Sequence, residues 1–365
     1  MKILVKYILK NFMFLFLFFF ISFLSLFVIV DLFDKLSDLL QYEITFRQII
    51  YYYFNFIPEL IVMIIPLSVL LASISFFKKI SSNNEYVAMV QGGFSLANMM
   101  MPLSIFVLLL CFLGFWVQNV IVPHSYFRKK KIEIEHFVKK GDTHKKIINR
   151  VRVFSKKKDV INLIYIEKYF IDKKCVEGLT IIEKDAEKPI ERKRIIAKSA
   201  KWNGREWILV DVTILDRSAG YIEEKKISRP SMMMELGVKP DDFILSKRNP
   251  KIMSLSDLKS IARQVKASES KEYYNLMVEY YKRYAFPFSS FILFIVSVPF
   301  GLMQKRGHKF LGIGIGIFIG LVFYLFQSVF WALGKGGIVN PFIASWAGNF
   351  IFLFLGAVFL KYAPK

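Results

Sequence analysis

Hydrophobic and polar residues are segregated along this chain rather than mixed. Stretches free of Asp, Glu, Lys and Arg run Asn11–Val30, Leu60–Phe77, Tyr86–Phe127, Tyr284–Gln304, Phe310–Gly334 and Gly336–Leu360. A helix crossing a membrane needs roughly 20 apolar residues, at about 1.5 Å each across a hydrocarbon core near 30 Å. Each stretch meets or approaches that length. The third exceeds it, so its span is placed at about Met99–Val122. Its approach, Ser81–Asn98, carries Gly and Asn and reads as an interfacial connection. The first stretch is too long for a cleavable signal, and Val28-Ile29-Val30-Asp31 offers no small-residue cleavage site.

Between the third and fourth stretches the period changes. Val160–Ile166 is rich in β-branched and aromatic residues, as strands are. Trp202-Asn203-Gly204-Arg205-Glu206-Trp207 sets Asn-Gly between aromatic flanks, which predicts a hairpin, and Trp207–Ile214 reads as its return strand. Tyr221–Ser228 reads as a further strand. Short strands at this spacing predict a β-sandwich or an open jelly roll. From Ser254 the period becomes helical: Leu255, Leu258, Ile261, Ala262 and Val265 share one face, with Ser254 or Ser256 as cap. A second helix then leads from about Ser270 into the fourth span. The expected architecture is an α-helical membrane protein of six transmembrane helices, three plus three, with an inserted extracytoplasmic β-jelly-roll-like domain. The expected boundaries are 1–123 for the first three spans, 124–270 for the β domain and 271–365 for the last three.

Composition supports the segregation, since 55% of the residues are hydrophobic while 22% are still charged. Charge also gives an orientation. The short loops on one side hold Lys2, Lys6, Lys10, Lys78, Lys79, Lys305, Arg306, Lys309, Lys361 and Lys365, with Glu85 as their only acid. The opposite short loops hold Lys35, Arg47 and Lys335 among Asp31, Asp34, Asp38, Glu43 and Glu59. Basic residues mark the cytoplasmic side, so both termini are expected inside the cell and the inserted domain outside. That domain's own excess, 38 Lys and Arg against 23 Asp and Glu over His124–Arg283, does not oppose this, because long domains translocate regardless of charge. No nucleic-acid partner is expected.

Catalytic chemistry is hard to find. His124, His136, His144 and His308 have no ligand spacing and read as solvated polar residues. Cys111 lies in a span and Cys175 in the inserted domain, so no disulfide framework is expected. Ser256-Asp257-Leu258-Lys259 fits a bare Ser-x-x-Lys pattern, but it opens an ordinary amphipathic helix without a companion motif. Gly312, Gly316 and Gly320 recur every four residues in the fifth span, which is the small-residue spacing that lets membrane helices approach closely. With no preceding strand and no phosphate-binding Lys, they are not a nucleotide fingerprint. The charge-free stretches also lack the buried carboxylates of an ion-coupled transporter. Lys35, beside Asp31 and Asp34 at the outer end of the first span, is either an interfacial anchor or a contact for an anionic lipid headgroup.

The connection between spans two and three reads Asn84-Glu85-Tyr86-Val87-Ala88-Met89-Val90-Gln91-Gly92-Gly93-Phe94-Ser95, an amphipathic segment closed by a Gly pair. It resembles the coupling helix of the lipopolysaccharide-export permeases LptF and LptG, with Glu85, Met89, Gly93, Phe94 and Ser95 filling the recurring positions. The resemblance extends over nearly the whole chain: three spans, an outside β domain and three spans. Gly320-Leu321-Val322-Phe323-Tyr324 and the Asn340-Pro341 entry to the last span look more like LptG than LptF. Where LptG-like proteins cluster lysines at the outer end of span one, this chain keeps only Lys35 and has Val28 and Asp34.

The resemblance implies a non-catalytic permease in the bacterial inner membrane with no cofactor. Its cargo would be lipopolysaccharide. Its partners would be an LptB-like ATPase dimer, an LptF-like second permease and an LptC-like bitopic protein. It further implies that Glu85 pairs with a base on the ATPase, while Tyr86, Met89 and Phe94 fill an apolar groove there and Gly93 ends the helix. The competing readings are another envelope-lipid permease, a non-catalytic scaffold and a membrane-anchored envelope enzyme. The last is disfavoured by the lack of paired catalytic groups.

Overall fold

The computed structural model describes residues 2–37, 45–133, 147–157, 160–170, 173–185, 191–216, 225–237, 240, 250–265, 271–303 and 311–362. His136, His144, His308, Asp38, Glu43, Ser270, residues 221–224, the 305–309 loop and Lys365 lie outside the described residues. The helices before the inserted region are α1 (Lys2–Asp34), α2 (Phe46–Ser82), α3 (Glu85–Gln91), α4 (Leu96–Trp116) and α5 (Val122–Ile132). A π-turn, Val117–Ile121, makes α4 and α5 continuous. After the inserted region come α6 (Leu255–Val265), α7 (Lys271–Leu302), α8 (Leu311–Lys335) and α9 (Pro341–Lys361). Among the described residues, six helices are long and apolar enough to cross a membrane: α1, α2, α4 with its continuation, α7, α8 and α9.

Two of these run past the limits that charge suggests. The third continues to Ile132 through Arg128 and Lys129, and α7 begins at Lys271 rather than near Tyr284. Charge marks where apolar residues stop, whereas a helix continues as long as its backbone ladder does. The charge-free interior expected for the fourth span is therefore corrected. Glu279 and Arg283 lie within α7, only 4% and 1% exposed.

Residues 1–37, 50–126 and 250–365 form one compact unit, and residues 38–49 and 127–249 another. In the helical unit α2 and α7 are central, with 78% of each apolar window buried against 11% for α1. Because lipid tails are as apolar as Leu, such helices are held by close fit and polar contacts rather than by expulsion of water. Close fit is visible at Gly301, where an added Cβ would stand 2.6 Å from Phe77 Cβ and 3.0 Å from the Ile74 carbonyl. Phe12 of α1 is wholly buried and meets Phe76, Phe106 and Phe294 edge-on at 6.1, 5.9 and 6.4 Å, joining four helices. Polar glue joins α7, α8 and α9. Ser289 Oγ and Gln327 Nε2 donate to Asn349 Oδ1 at 2.9 and 3.1 Å, and Asn349 Nδ2 donates to the Ala285 carbonyl at 2.7 Å. At the entry to α9, Asn340 Oδ1 accepts from the Phe342 amide, with Pro341 in the first turn.

The second unit carries one antiparallel sheet in sequence order: β1 (Ile147–Lys157), β2 (Val160–Phe170), β3 (Cys175–Asp185), β4 (Glu191–Trp202), β5 (Trp207–Asp216) and β6 (Lys225–Met234). The expected inserted β domain is thus an antiparallel sheet whose described strands pair with their sequence neighbours. The Asn203-Gly204 hairpin joins β4 to β5, with Asn203 Oδ1 accepting from the Arg205 and Glu206 amides and Gly204 at φ +103°. All five ladders skip one pair along a single row. The opposed residues are Arg150, Glu167, Gly178, Lys198, Asp211 and Pro230. Gly178 and Asp211 there have φ of +67° and +53°. The buried residues change parity across the row, from Ile164 and Ile166 to Tyr169 and from Val212 and Ile214 to Leu209 and Trp207. The sheet is creased along this line, which lets both halves present apolar side chains to one core.

Candidate functional site

The segment after α2 forms an elbow whose every turn has a local cause. Asn84 takes the left-handed conformation (φ +60°), and α3 follows for seven residues. It ends where Gly92 and Gly93 donate to the Ala88 and Val90 carbonyls, while the Phe94 amide reaches back to the Met89 carbonyl at 2.9 Å. With Gly93 at φ +81°, this is the Schellman arrangement, in which the residue after the glycine contacts the helix's last turn. Phe94 and Met89 accordingly both pack against the same buried cluster. Ser95 then caps α4, its Oγ accepting from the Asn98 amide at 3.3 Å. Gly93-Phe94-Ser95 is therefore a stop, an anchor and a start in three consecutive residues.

The faces of the elbow divide sharply. Tyr86 is 7% exposed and belongs to the cluster containing Ile8, Phe12 and Met99. Burial raises its hydroxyl pKa above the ordinary tyrosine value. Tyr86, Met89 and Phe94 thus pack on the protein's own buried cluster, Tyr86 as an inward anchor and Met89 and Phe94 half-buried beside it. Val87 and Val90, 49% and 36% exposed, make the outward apolar surface together with Ala88, with the exposed Gln91 amide beside them. On a single two-turn helix inward and outward apolar positions do not separate by period, so the sequence pattern missed this pair. Glu85 lies between the faces. Its carboxylate accepts from the Tyr7 hydroxyl at 3.0 Å and from Asn83 Nδ2 at 3.3 Å. Lys79 Nζ donates to Asn11 Oδ1 at 3.1 Å, a second tie between α1 and the end of α2.

Gly316 and Gly320 of α8 face α2. A Cβ at Gly316 would stand 2.3 Å from Leu71 Cδ2, and one at Gly320 would stand 2.6 Å from Leu67 Cδ1. Gly312 is buried on the same helix, whereas a Cβ at Gly314 would meet nothing within 4 Å.

Charged residues gather toward the end of the bundle where α1 stops and α2 begins. Lys35 Nζ lies 3.6 Å from Asp31 and over the Tyr52 ring at 4.0 Å, with the Tyr52 hydroxyl as acceptor. Lys251, on the segment before α6, gives its Nζ to Glu59 Oε1 of α2 at 2.7 Å and lies 5.3 Å from the Tyr126 ring centre. Burial acts to lower the Lys251 pKa, but Glu59, joined by Tyr126 and Glu279, acts to raise it, and the net direction is up. Arg283 Nη2 donates to the Pro250 and Lys251 carbonyls at 2.8 and 3.1 Å. Lys282 sits over the Trp331 ring at 4.0 Å. The sequence presents Glu59 as a short-loop charge and Lys251 only as part of the inserted domain's basic excess, since nothing in a pattern joins residues 192 apart. The Ser256 and Lys259 side chains lie on the exposed face of α6, where Ser254 Oγ caps the helix at the Asp257 amide, 3.1 Å away. Among the described residues, no three His, Cys, Asp or Glu side chains gather at a spacing suited to a metal ion.

The helical unit offers an exposed apolar elbow with one acid at one end of the bundle and a set of engaged charges at the other. The family model for the lipopolysaccharide export system permease LptF/LptG matches residues 6–362, nearly the whole chain. No curated protein matches it.

Proposed function

The chain belongs to the LptF/LptG family of lipopolysaccharide export permeases, and we propose that it is the LptG-type half of an ABC transporter that lifts lipopolysaccharide out of the inner membrane. Six apolar helices and the family place it among multi-pass inner-membrane proteins. In this reading both termini and the elbow are cytoplasmic, and residues 124–270 form a periplasmic domain between spans 1–123 and 271–365. The loop charge bias supports that orientation. Gly320–Tyr324 and Asn340-Pro341 support LptG over its LptF-type counterpart, which would be the second permease.

The physical need is an energy source and a sheltered path. Exposing acyl chains to water costs about 0.8 kcal/mol per CH₂, so several chains amount to tens of kcal/mol. A separate LptB-like ATPase dimer supplies the energy, and the creased sheet hands the acyl chains on to an LptC-like protein. The observation that carries the reading is the elbow, with Glu85 beside uncovered Val87 and Val90 on a stop–anchor–start frame. The elbow projects these residues as a knob that seats in a groove of the ATPase. Glu85 pairs with a base there, and Lys35 meets a phosphate of the entering lipid.

Purification of the tagged chain from its native membrane, followed by mass spectrometry of associated proteins and lipids, tests this. The expected result is an ATPase, a second permease and lipopolysaccharide together. A chain that comes away with neither ATPase nor lipopolysaccharide overturns the proposal.

A further inference from the structure

Lys251 is held at both ends by different helices. Its backbone carbonyl accepts from Arg283 of α7, and its ammonium is given to Glu59 of α2. Those two helices are the central pair of the bundle. Tyr126, on α5, lies beneath the same ammonium. The residue before it, Pro250, is also gripped through its carbonyl by Arg283. Residue 250 is where the chain re-enters the helical unit after the sheet-bearing one.

A buried guanidinium is an expensive anchor. Arg283 is 1% exposed, and its Nε and Nη1 have no hydrogen-bond partner among the described residues. Burying a charge with unmet donors costs more than an apolar side chain of the same volume would. A plain tether would be served better by packing alone. What Arg283 adds is a grip on main-chain oxygens, so that the path of the backbone at 250–251 is fixed. Lys251 then behaves as a crosspiece: when α2 and α7 shift relative to one another, both its ends cannot stay bound unless the segment moves with them.

We propose that Lys251, Glu59 and Arg283 form a transmission joint, in which movement between α2 and α7 is passed to the chain leading to the β-sheet unit. This inference rests on the transport reading, and the three are positioning residues that touch no cargo. Arg283 holds the backbone, Glu59 holds the side chain, and α6, capped by Ser254 immediately after the joint and packed on α7 through Leu258 and Ala262, keeps the segment from sliding.

The test uses the complete transporter in vesicles, reading ATP hydrolysis and lipopolysaccharide release separately. Glu59→Lys and Lys251→Glu are each expected to retain most of the hydrolysis while release falls about tenfold. The exchanged double variant is expected to recover release to within about threefold of the parent. Arg283→Met, whose apolar side chain keeps the site filled, is expected to fold and to uncouple in the same way. Normal release in the single variants, or hydrolysis and release falling in parallel, overturns the joint. A well-folded double variant without recovery also overturns it. Failure of the unaltered chain to bind an ATPase or release lipopolysaccharide instead overturns the transport reading itself.

Discussion

The Tyr7 hydroxyl donates to Glu85 at 3.0 Å, so the first helix and the elbow that follows the second are joined through the elbow's single acid. Seventy-eight residues separate the two. The carboxylate therefore has an internal partner, and any pairing with another protein must be made alongside it or in its place. Tyr86 makes the same connection from the apolar side, sharing one buried cluster with Ile8, next to Tyr7, and with Phe12, about a turn and a half further along α1. The elbow is consequently stiff with respect to α1.

The internal and external uses of Glu85 separate by mutation. A hydrogen bond to a charged acceptor is worth about 1.5–3 kcal/mol, whereas losing one partner of a desolvated interprotein pair costs about 2–5 kcal/mol. Tyr7→Phe removes only the internal bond and is expected to lower thermal stability slightly while leaving ATPase co-purification intact. Glu85→Lys is expected to insert and fold but to lose the ATPase and lipid export. Equal loss of ATPase in both variants would assign Glu85 to holding α1 alone.

Gly93 is required by conformation rather than by space. Its φ of +81° costs an L-residue with a side chain about 1–2 kcal/mol, yet an added Cβ would touch nothing within 4 Å. Gly93→Asn, which tolerates the left-handed region, is expected to export near normally, whereas Gly93→Val shifts Phe94 off its anchor and weakens ATPase capture. Co-purification of both variants, set against Gly92→Ala, checks this. Gly92 has φ −77° and serves as the mild control.

Much of this architecture is legible in the sequence because a membrane imposes its own period. Stretches such as Leu60–Phe77 are too long and too free of charge to be anything but spans, and Asn203-Gly204 between two tryptophans announces its hairpin. The elbow's position is equally plain from its lone acid and paired glycines. Its facing is not. Tyr86 and Val87 are neighbours in a seven-residue helix, and only tertiary packing decides which of them is buried. The start of α7 is hidden for a different reason. Lys282 and Arg283 look like the edge of a soluble domain until their partners, Trp331, Pro250 and Lys251, are brought to them from elsewhere in the chain. Charges that are satisfied by the fold cannot be told from charges satisfied by water when the fold is not yet known.

The glycines of α8 are not equivalent. Gly316 and Gly320 hold the helix against Leu67 and Leu71, while Gly314 faces away. Filling a close helix contact typically costs about 1–3 kcal/mol. Gly316→Leu is therefore expected to lower the unfolding temperature in detergent clearly, and Gly314→Leu to leave it nearly unchanged. Equal unfolding temperatures would remove the α2–α8 approach as a determinant of the bundle.

Along the crease of the sheet, Asp211 holds a φ of +53° that glycine adopts without cost. Its pairing with Lys198, at 4.0 Å between largely exposed side chains, contributes little. Asp211→Gly is thus expected to stabilise the sheet by up to about 1 kcal/mol. Gly178→Val is expected to destabilise it by about 1–2 kcal/mol, since the same row requires φ +67° there. Hydrogen exchange of β4 and β5 amides reads both. Slower exchange in the first variant and faster in the second is the expected pair, and unchanged exchange in both would show that the crease carries no strain.

Lys35 stands just after α1, where in the proposed reading a phosphate-bearing lipid would enter, and it is already held by Asp31 and Tyr52. If its role is anchoring, what matters is that local set, and loosening it from either side should have the same consequence. If its role is contact with an anion, the lysine matters and the aspartate opposes it. Asp31→Asn frees the ammonium from a competing carboxylate, so export is expected to be unchanged or modestly faster. Lys35→Ala is expected to slow export, and Lys35→Asp to slow it further, because repulsion between like charges is added to the lost attraction. ATPase assembly should be the same in all three, since the site lies at the opposite end of α1 from Tyr7. The salt dependence gives an independent reading. Attraction to an exposed phosphate weakens as the screening length falls from about 10 Å at 0.1 M salt to about 3 Å at 1 M. The parent chain should therefore lose export with added salt more steeply than Lys35→Ala does. Equal slowing in Asp31→Asn and Lys35→Ala, with the same salt dependence in both, would leave Lys35 as an anchor and place lipid contact elsewhere.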